Sequence, residues 1–402
     1  MIPLKAKIGL AIVATYSTFT IYISLRTKYE IYKREIGIKD LQNKYSSLTV
    51  GGRFENPFSE YRGQTLFEFA FCRILELFEG RTRGGLPNSE PELRKLIPLV
   101  RPDMDLLRNN SNGHENESGI NLKDQLTFTW LGQSCSYVQM GKVGFLTDPL
   151  FENFLVNKTL GPKRITPSPV TFEELPRTDY VLVSHNHPDH LEESSIPKIG
   201  NNSTWIVPLG LRKYLAKKGI HRVVEMDWWE TYQVDNALTV VCLPAMHWSG
   251  RKILDTNHSL WCSFLVLHSN NPVFYHAGDT GYTSELFKVI QAKYGPVKLC
   301  MLPIGQYCPT WHQKPRHIDP NEAYQIMQDL KASKMFGVHW GTFVLSSEPF
   351  LEPKEKLHAL AQKLDRDNDI MTPVCGKTYI LDMSASENKN EARDYQDSTI
   401  LG

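Results

Sequence analysis

His185, His187, Asp189 and His190 fall within six residues, in Ser184-His185-Asn186-His187-Pro188-Asp189-His190-Leu191. This H-x-H-x-D-H pattern follows an apolar run, Tyr180-Val181-Leu182-Val183, that reads as a buried strand. Two residues apart in an extended segment, His185 and His187 point the same way, while Asp189 and His190 project from the turn that leaves the strand. Imidazole nitrogen and carboxylate oxygen are the ligands that divalent zinc prefers. Four ligands are one more than a catalytic zinc normally takes from protein, so the cluster suggests two adjacent metals. The alternative is a chance cluster of surface histidines, a rare outcome for a chain with 13 histidines in 402 residues.

Three further candidates come just after apolar runs: His247 in Pro244-Ala245-Met246-His247-Trp248, Asp279 in His276-Ala277-Gly278-Asp279-Thr280, and His339 in Gly337-Val338-His339-Trp340-Gly341. A lone histidine after a strand is more often a hydrogen-bonded structural residue. Side chains at neighbouring strand ends, however, converge on one edge of a sheet. With the first four they make seven ligands, enough for two metals. His317 precedes a helix start and is a candidate for binding phosphate or assisting a leaving group, or else a structural loop histidine.

The elements that must position these residues begin at Leu126. Short apolar strands are expected at 126–130, 136–140, 143–147, 180–184, 204–208, 238–243, 260–268, 272–276, 299–304 and 335–339, with Gly141-Lys142 as a tight hairpin turn. Asp319-Pro320-Asn321-Glu322 has the N-cap, the proline and the glutamate of a helix start, and Glu352–Leu364 reads as a second helix. Early hairpins followed by alternating helices predict an α/β fold of two sheets sandwiched between helices.

Composition narrows the function. A net charge of +1 with no basic tract gives no sign of a nucleic-acid groove. The 7 cysteines are scattered, with no C-x-x-C pair, which argues for a reducing compartment. Ile8–Leu25 carries no charge and has basic flanks, Lys5 and Lys7 before it, Arg26 and Lys28 after it. At 1.5 Å per residue it reaches about 27 Å, just enough to cross a bilayer. An uncleaved anchor is expected, with a signal peptide or a mitochondrial presequence as rivals. Residues 1–28 are thus assigned to the anchor, 29–121 to an accessory region and linker, 122–384 to the catalytic domain and 385–402 to a polar tail. Leu66–Phe78 is expected as a helix packed on the core or lying on a membrane, and Asn109–Asn121 as a flexible linker.

The seven ligands, with Asp148-Pro149 after the third strand, resemble the pattern of the metallo-β-lactamase superfamily. Gly52-Arg53-Phe54-Glu55-Asn56-Pro57-Phe58, Asp227-Trp228-Trp229-Glu230, Ile304-Gly305-Gln306-Tyr307, His317-Ile318-Asp319-Pro320 and His339-Trp340-Gly341-Thr342-Phe343 resemble the N-acylphosphatidylethanolamine-hydrolysing phospholipase D family. The resemblance implies the αββα sandwich of two mixed sheets between helices, preceded by the transmembrane segment. It also implies two zinc ions, one on His185, His187 and His247, the other on Asp189, His190 and His339, with Asp279 shared. Asp189, Asp279 and His317 are then the expected catalytic residues, and His317, Gln306 and Tyr307 the expected substrate contacts. The implied reaction cleaves the lipid to N-acylethanolamine and phosphatidic acid; a thioester or a lactone is the alternative substrate. The expected partners are the phospholipid and the bilayer around residues 8–25, and homodimerisation is left open. The N-terminal span resembles fungal relatives linked to mitochondria, so the mitochondrial inner membrane is favoured over the endoplasmic reticulum. Pro188 and Arg316 depart from the family, which has a bulkier aromatic and an amide there.

Overall fold

A computed structural model describes residues 3–384 except 66, 69, 73, 75–83, 116–117, 157–160 and 253–254. The chain opens with α1 (Leu4–Gly37), followed by a hairpin of β1 (Leu48–Val50) and β2 (Arg53–Glu55). One seven-stranded sheet contains β3 (Gln125–Gly132), β4 (Cys135–Met140), β5 (Val143–Thr147), β6 (Tyr180–Leu182), β7 (Thr204–Pro208) and β8 (Val223–Met226). A second seven-stranded sheet contains β9 (Thr231–Gln233), β10 (Leu238–Leu243), β11 (Ser263–His268), β12 (Asn271–His276), β13 (Leu299–Pro303), β14 (Lys334–Val338) and β15 (Ile370–Met371). The last strand, β16 (Thr378–Asp382), returns to the first sheet and pairs with β3.

Both sheets are mixed. In the first, β16-β3-β4-β5 are antiparallel and β5-β6-β7-β8 parallel. In the second, β15-β14-β13-β12 are parallel and β12-β11-β10-β9 antiparallel. The central strands read as continuous apolar runs because they bury both faces. Phe128, Val138, Phe145, Leu182 and Ile206 of the first sheet face the core shared with the second. Their neighbours Tyr137, Leu146, Val181 and Trp205 face a separate outer core. This is the period-two alternation of strands between two apolar layers. Outside the second sheet, helices Ser284–Tyr294, Pro320–Asp329 and Glu352–Lys363 supply Leu286, Ile326 and Leu357 to the core.

The expected strands are all present, with small shifts at their ends; Leu260–Cys262, expected as strand, precedes β11. Six short strands escaped the apolar pattern: β1, β2, β8, β9, β15 and β16 are each five residues or fewer and partly exposed. The linker expected from Asn109 begins later. Asn109–Asn112 complete the helix Met104–Asn112, which ends on Gly113 at φ 81°, and Asn110 is buried against Gln139. Asparagine and serine, read as loop formers, are here the last turn of a helix closed by a left-handed glycine. Much of the expected helix at 66–78 lies outside the described residues. Of those described, Cys72 is buried while Phe67, Phe71 and Ile74 are 80%, 44% and 52% exposed. The tail from 385 also lies outside the described residues.

α1 runs for 34 residues and is the one helix among the described residues long and apolar enough to cross a membrane. The contact between the sheets is the part of the fold the site depends on. Phe128 of the first sheet meets Phe274 and Phe336 of the second at ring-centroid distances of 6.3 and 4.9 Å. Phe128→Ala leaves a void between the sheets and is expected to cost about 3–5 kcal/mol, measured as a lower midpoint of denaturant unfolding.

Candidate metal centre

Every candidate ligand lies at or just beyond the end of a strand. His185 to His190 follow β6, His247 follows β10, Asp279 follows β12 and His339 follows β14. Two groups of donor atoms form, His185, His187 and His247 in one, Asp189, His190, Asp279 and His339 in the other, with the atoms of each group within 4.8 Å of one another. In the first, His187 Nδ1 lies 2.8 Å from His185 Nε2 and 3.3 Å from His247 Nε2. In the second, Asp279 lies 3.2 Å from His190 Nε2 and 3.1 Å from His339 Nε2, and Asp189 lies 3.5 Å from both nitrogens. Asp279 Oδ2 is also 3.7 Å from His247 Nε2, so one carboxylate touches both groups.

The remaining ring nitrogens aim these ligands. His247 Nδ1 donates to the backbone carbonyl of Arg316 at 3.0 Å. His185 Nδ1 meets the Ser184 hydroxyl at 2.9 Å, and His190 Nδ1 meets Asp148 at 2.8 Å. Such outer partners select the tautomer and turn the other nitrogen toward the centre. For His247 the consequence is definite: a proton on Nδ1 leaves Nε2 as a lone pair, facing His187 Nδ1 and a carboxylate. Lone pairs converging on one point suit a bound cation. The buried His187 Nε2, His317 Nδ1 and His339 Nδ1 have no hydrogen-bond partner. The residues present fit a dinuclear metal site.

Electrostatics separates the two groups. Burial, reinforced for His187 by His190 and for His247 by His187, pushes both imidazoles down to about 3, and holds His185 well below the ordinary value too. Burial acts the same way on His190 and His339, but Asp279 and Asp189 outweigh it. His339 rises to about 9 and His190 stands well above the usual imidazole range. Asp148 is fully buried, which would raise its carboxyl, yet His276 and His190 pull it down to about 2.

Asp148 organises this second group. One oxygen accepts the Ser184 N–H at 2.7 Å, and the other meets Ser184 Oγ at 2.8 Å, His190 Nδ1 at 2.8 Å and His276 Nε2 at 3.0 Å. Gln133, which carries no sequence signal, stands beside it. Its side-chain amide lies 3.0 Å from Asp189 Oδ2 and 2.9 Å from His339 Nε2. It adopts φ 51° in the turn after β3, with its N–H on the Thr342 hydroxyl and its carbonyl accepting from the His339 N–H and the Trp130 indole.

His317 reaches the centre, with Nδ1 3.7 Å from Asp279 Oδ2. Gln306 lines a cleft with Gln133 and His339, and its side-chain oxygen has no partner. Tyr307 lies outside that lining, its hydroxyl donating to Glu352 at 2.7 Å. The two departures have local explanations. The His190 N–H donates to the His187 carbonyl at 3.1 Å, so Pro188 occupies the second position of a tight turn, where a fixed φ suits the backbone. Arg316 is buried, its guanidinium on the His312 carbonyl and its own carbonyl holding His247.

Comparison with known proteins places this centre in a family. The Beta-lactamase superfamily domain matches residues 144–340. The chain is 46% identical over 413 residues to the mitochondrial N-acyl-phosphatidylethanolamine-hydrolyzing phospholipase D of Saccharomyces cerevisiae, covering 93% of this chain and 87% of that protein. It is 34% identical over 346 residues to N-acyl-phosphatidylethanolamine-hydrolyzing phospholipase D 1 of Caenorhabditis elegans, covering 82% and 92%. Among solved structures, the isothiocyanate hydrolase from Delia radicum gut bacteria shares the fold, with a TM-score of 0.50 at 15% identity over 63% of this chain and 98% of that one. The chain therefore belongs to the N-acyl-phosphatidylethanolamine-hydrolyzing phospholipase D family and is a metal-dependent hydrolase of the metallo-β-lactamase fold.

Proposed function

We propose that this enzyme hydrolyses N-acylphosphatidylethanolamine at a mitochondrial inner membrane, using two zinc ions, to N-acylethanolamine and phosphatidic acid. The observation that carries the reading is the pair of ligand groups joined through Asp279. The substrate is taken from the names of the two relatives, and the membrane from the mitochondrial relative and the apolar α1.

His185, His187 and His247 would hold one zinc, Asp189, His190 and His339 the other, and Asp279 both. Bound zinc would supply positive charge for the phosphoryl oxygens and bring the pKa of water toward 7. Attack of water oxygen on phosphorus breaks the bond to the ethanolamine oxygen, which leaves with a proton. Asp189 and Asp279 are the carboxylates nearest that chemistry. His317 is assigned to the phosphoryl group or the leaving oxygen. Burial and the neighbouring His247 hold it well below the usual imidazole range, so it enters the reaction neutral. Gln306 is assigned to the substrate because it lines the cleft beside His339, and its buried side-chain oxygen has no hydrogen-bond partner.

The direct test incubates purified, metal-analysed protein with N-acylphosphatidylethanolamine, phosphatidylcholine and a small thioester in parallel. Release of N-acylethanolamine from the first alone is expected; comparable cleavage of phosphatidylcholine or the thioester overturns the substrate assignment. Asp279→Asn keeps the shape but removes the shared charge. Product release is expected to fall at least about a thousandfold while circular dichroism stays native, and full activity would remove Asp279 from its bridging role.

Metal binding should also divide by pH. His185, His187 and His247 are already neutral at pH 7, so affinity at that group is expected to be flat between pH 6 and 8. His190 and His339 must lose protons before binding, so affinity there is expected to rise with pH up to about 9. The slope is about tenfold per pH unit for each proton released. Calorimetric titration of the metal-free protein with zinc, in buffers of different ionisation enthalpy, reads both the slope and the protons.

A further inference from the structure

The way α1 joins the body fixes how deep the catalytic unit sits. Ile23, Thr27, Glu30, Ile31 and Arg34 are half-buried, at the spacing of one helical face, so the helix packs along the body rather than trailing from it. At its far end the Arg34 guanidinium bonds the carbonyls of Lys44, Ser46 and Ser47 at 3.1, 2.6 and 3.1 Å. At its near end the partner is the β1–β2 hairpin. The turn at Gly51 has φ 59°, and a Cβ there would lie 2.7 Å from Ile23 Cδ1, so backbone is laid directly on the helix. The Arg53 guanidinium sits 5.4 Å from the centre of the Phe19 ring.

Phe19 and Ile23 lie inside the uncharged stretch Ile8–Leu25. Phe19 is six residues before Leu25, about 9 Å along the axis, and Ile23 about 3 Å. If that stretch crosses the hydrocarbon, the hairpin turn lies beside residues that are themselves in it. A mount that keeps the body clear of the bilayer would have put this contact beyond Arg26.

We propose that the β1–β2 hairpin is immersed in the phospholipid leaflet from which α1 emerges, with Gly51-Gly52 at the depth of the acyl boundary. Arg26, Lys28 and Lys33 follow the uncharged stretch and suit the lipid phosphates above it.

The consequence concerns the metal centre. From Arg53 the chain needs only three residues, about 11 Å at full extension, to reach Asn56. The Asn56 side-chain amide donates to the backbone carbonyl of His247 at 2.7 Å, and the Phe54 N–H donates to the Asn257 carbonyl at 2.8 Å. Asn257 in turn accepts from the Ser249 N–H at 3.1 Å, two residues beyond His247. A ligand-bearing loop is therefore bonded to the membrane-seated hairpin, and a phospholipid headgroup can meet the metals while its chains stay in the leaflet.

The inference rests on reading Ile8–Leu25 as a span, and the test separates the two. The full chain is reconstituted in phospholipid nanodiscs with p-benzoylphenylalanine replacing Thr49, exposed on β1, or Arg53, and as control Lys217, exposed beyond the other sheet. After irradiation, mass spectrometry is expected to find phospholipid adducts at 49 and 53 and none at 217. Alkaline carbonate extraction of the unmodified protein from its membrane reads the span alone. Retention in the membrane with no adduct at 49 or 53 above the control overturns the hairpin proposal and leaves the anchor standing; release by carbonate overturns both. Neither readout depends on the lipid the enzyme cleaves, so failure of the substrate assignment would leave the outcome unchanged.

Discussion

Three buried carboxylates, Asp148, Asp189 and Asp279, stand within one cluster of histidines, and the site depends on how their charge is compensated. A lone ionised carboxylate in a protein interior is costly unless paired. Here the pairing is graded. Asp148 has two imidazoles, a hydroxyl and a backbone N–H, and becomes a fixed anion that orients His190. Asp189 and Asp279 have the ring nitrogens facing the centre, with the Gln133 amide beside Asp189 and His317 beside Asp279. They hold protons on His190 and His339, and a bound cation would take the place of those protons. The same electrostatics that pairs the carboxylates makes one half of the site pH-sensitive.

That arrangement demands both sheets at once. The first sheet brings His185 to His190 and Asp148, the second His247, Asp279 and His339. The two groups meet because β6, β10, β12 and β14 all end at the same edge of the sandwich. Sheet separation is set by large side chains such as Phe128, Phe274 and Phe336, none of them a candidate ligand. Core packing is stiff to changes of a methylene group, so contacts of 3 Å between ligands from different sheets are inherited from it. Backbone strain gathers at this edge too. Gln133, Asp148, Gln306 and His339 are non-glycine residues at positive φ, a conformation that persists only where the surroundings over-determine it.

The clustering of the seven candidate ligands was legible because they follow apolar runs, and such runs in this fold are long enough to announce themselves. The sandwich was legible for the same reason. What stayed hidden acts through geometry alone. Gln133 is an ordinary amide in a Gly-Gln-Ser turn, and only the folded chain brings it to Asp189 and His339. His276 lies inside a strand and looks like a β residue until its ring meets Asp148. Tyr307 sits next to Gln306 in a family word, and nothing in the sequence signals that its hydroxyl donates to Glu352, 45 residues further on. Short strands such as β8 and β16 were missed because half-exposed segments of four or five residues carry too little periodicity.

Pro188 joins these scales. As a sequence letter it was only a departure inside the metal motif. In the fold it is the rigid corner that brings Asp189 and His190 back beneath His187, with both the His190 and Leu191 N–H groups on the His187 carbonyl. A bulky aromatic could supply surface there but not a fixed φ. Proline exchanges side-chain contact for backbone order, and it does so where the ligands of the two metal groups are adjacent in sequence. Its ring is only half-buried, so the substitution alters the rim of the site through surface lost and leaves the ligand geometry to the turn.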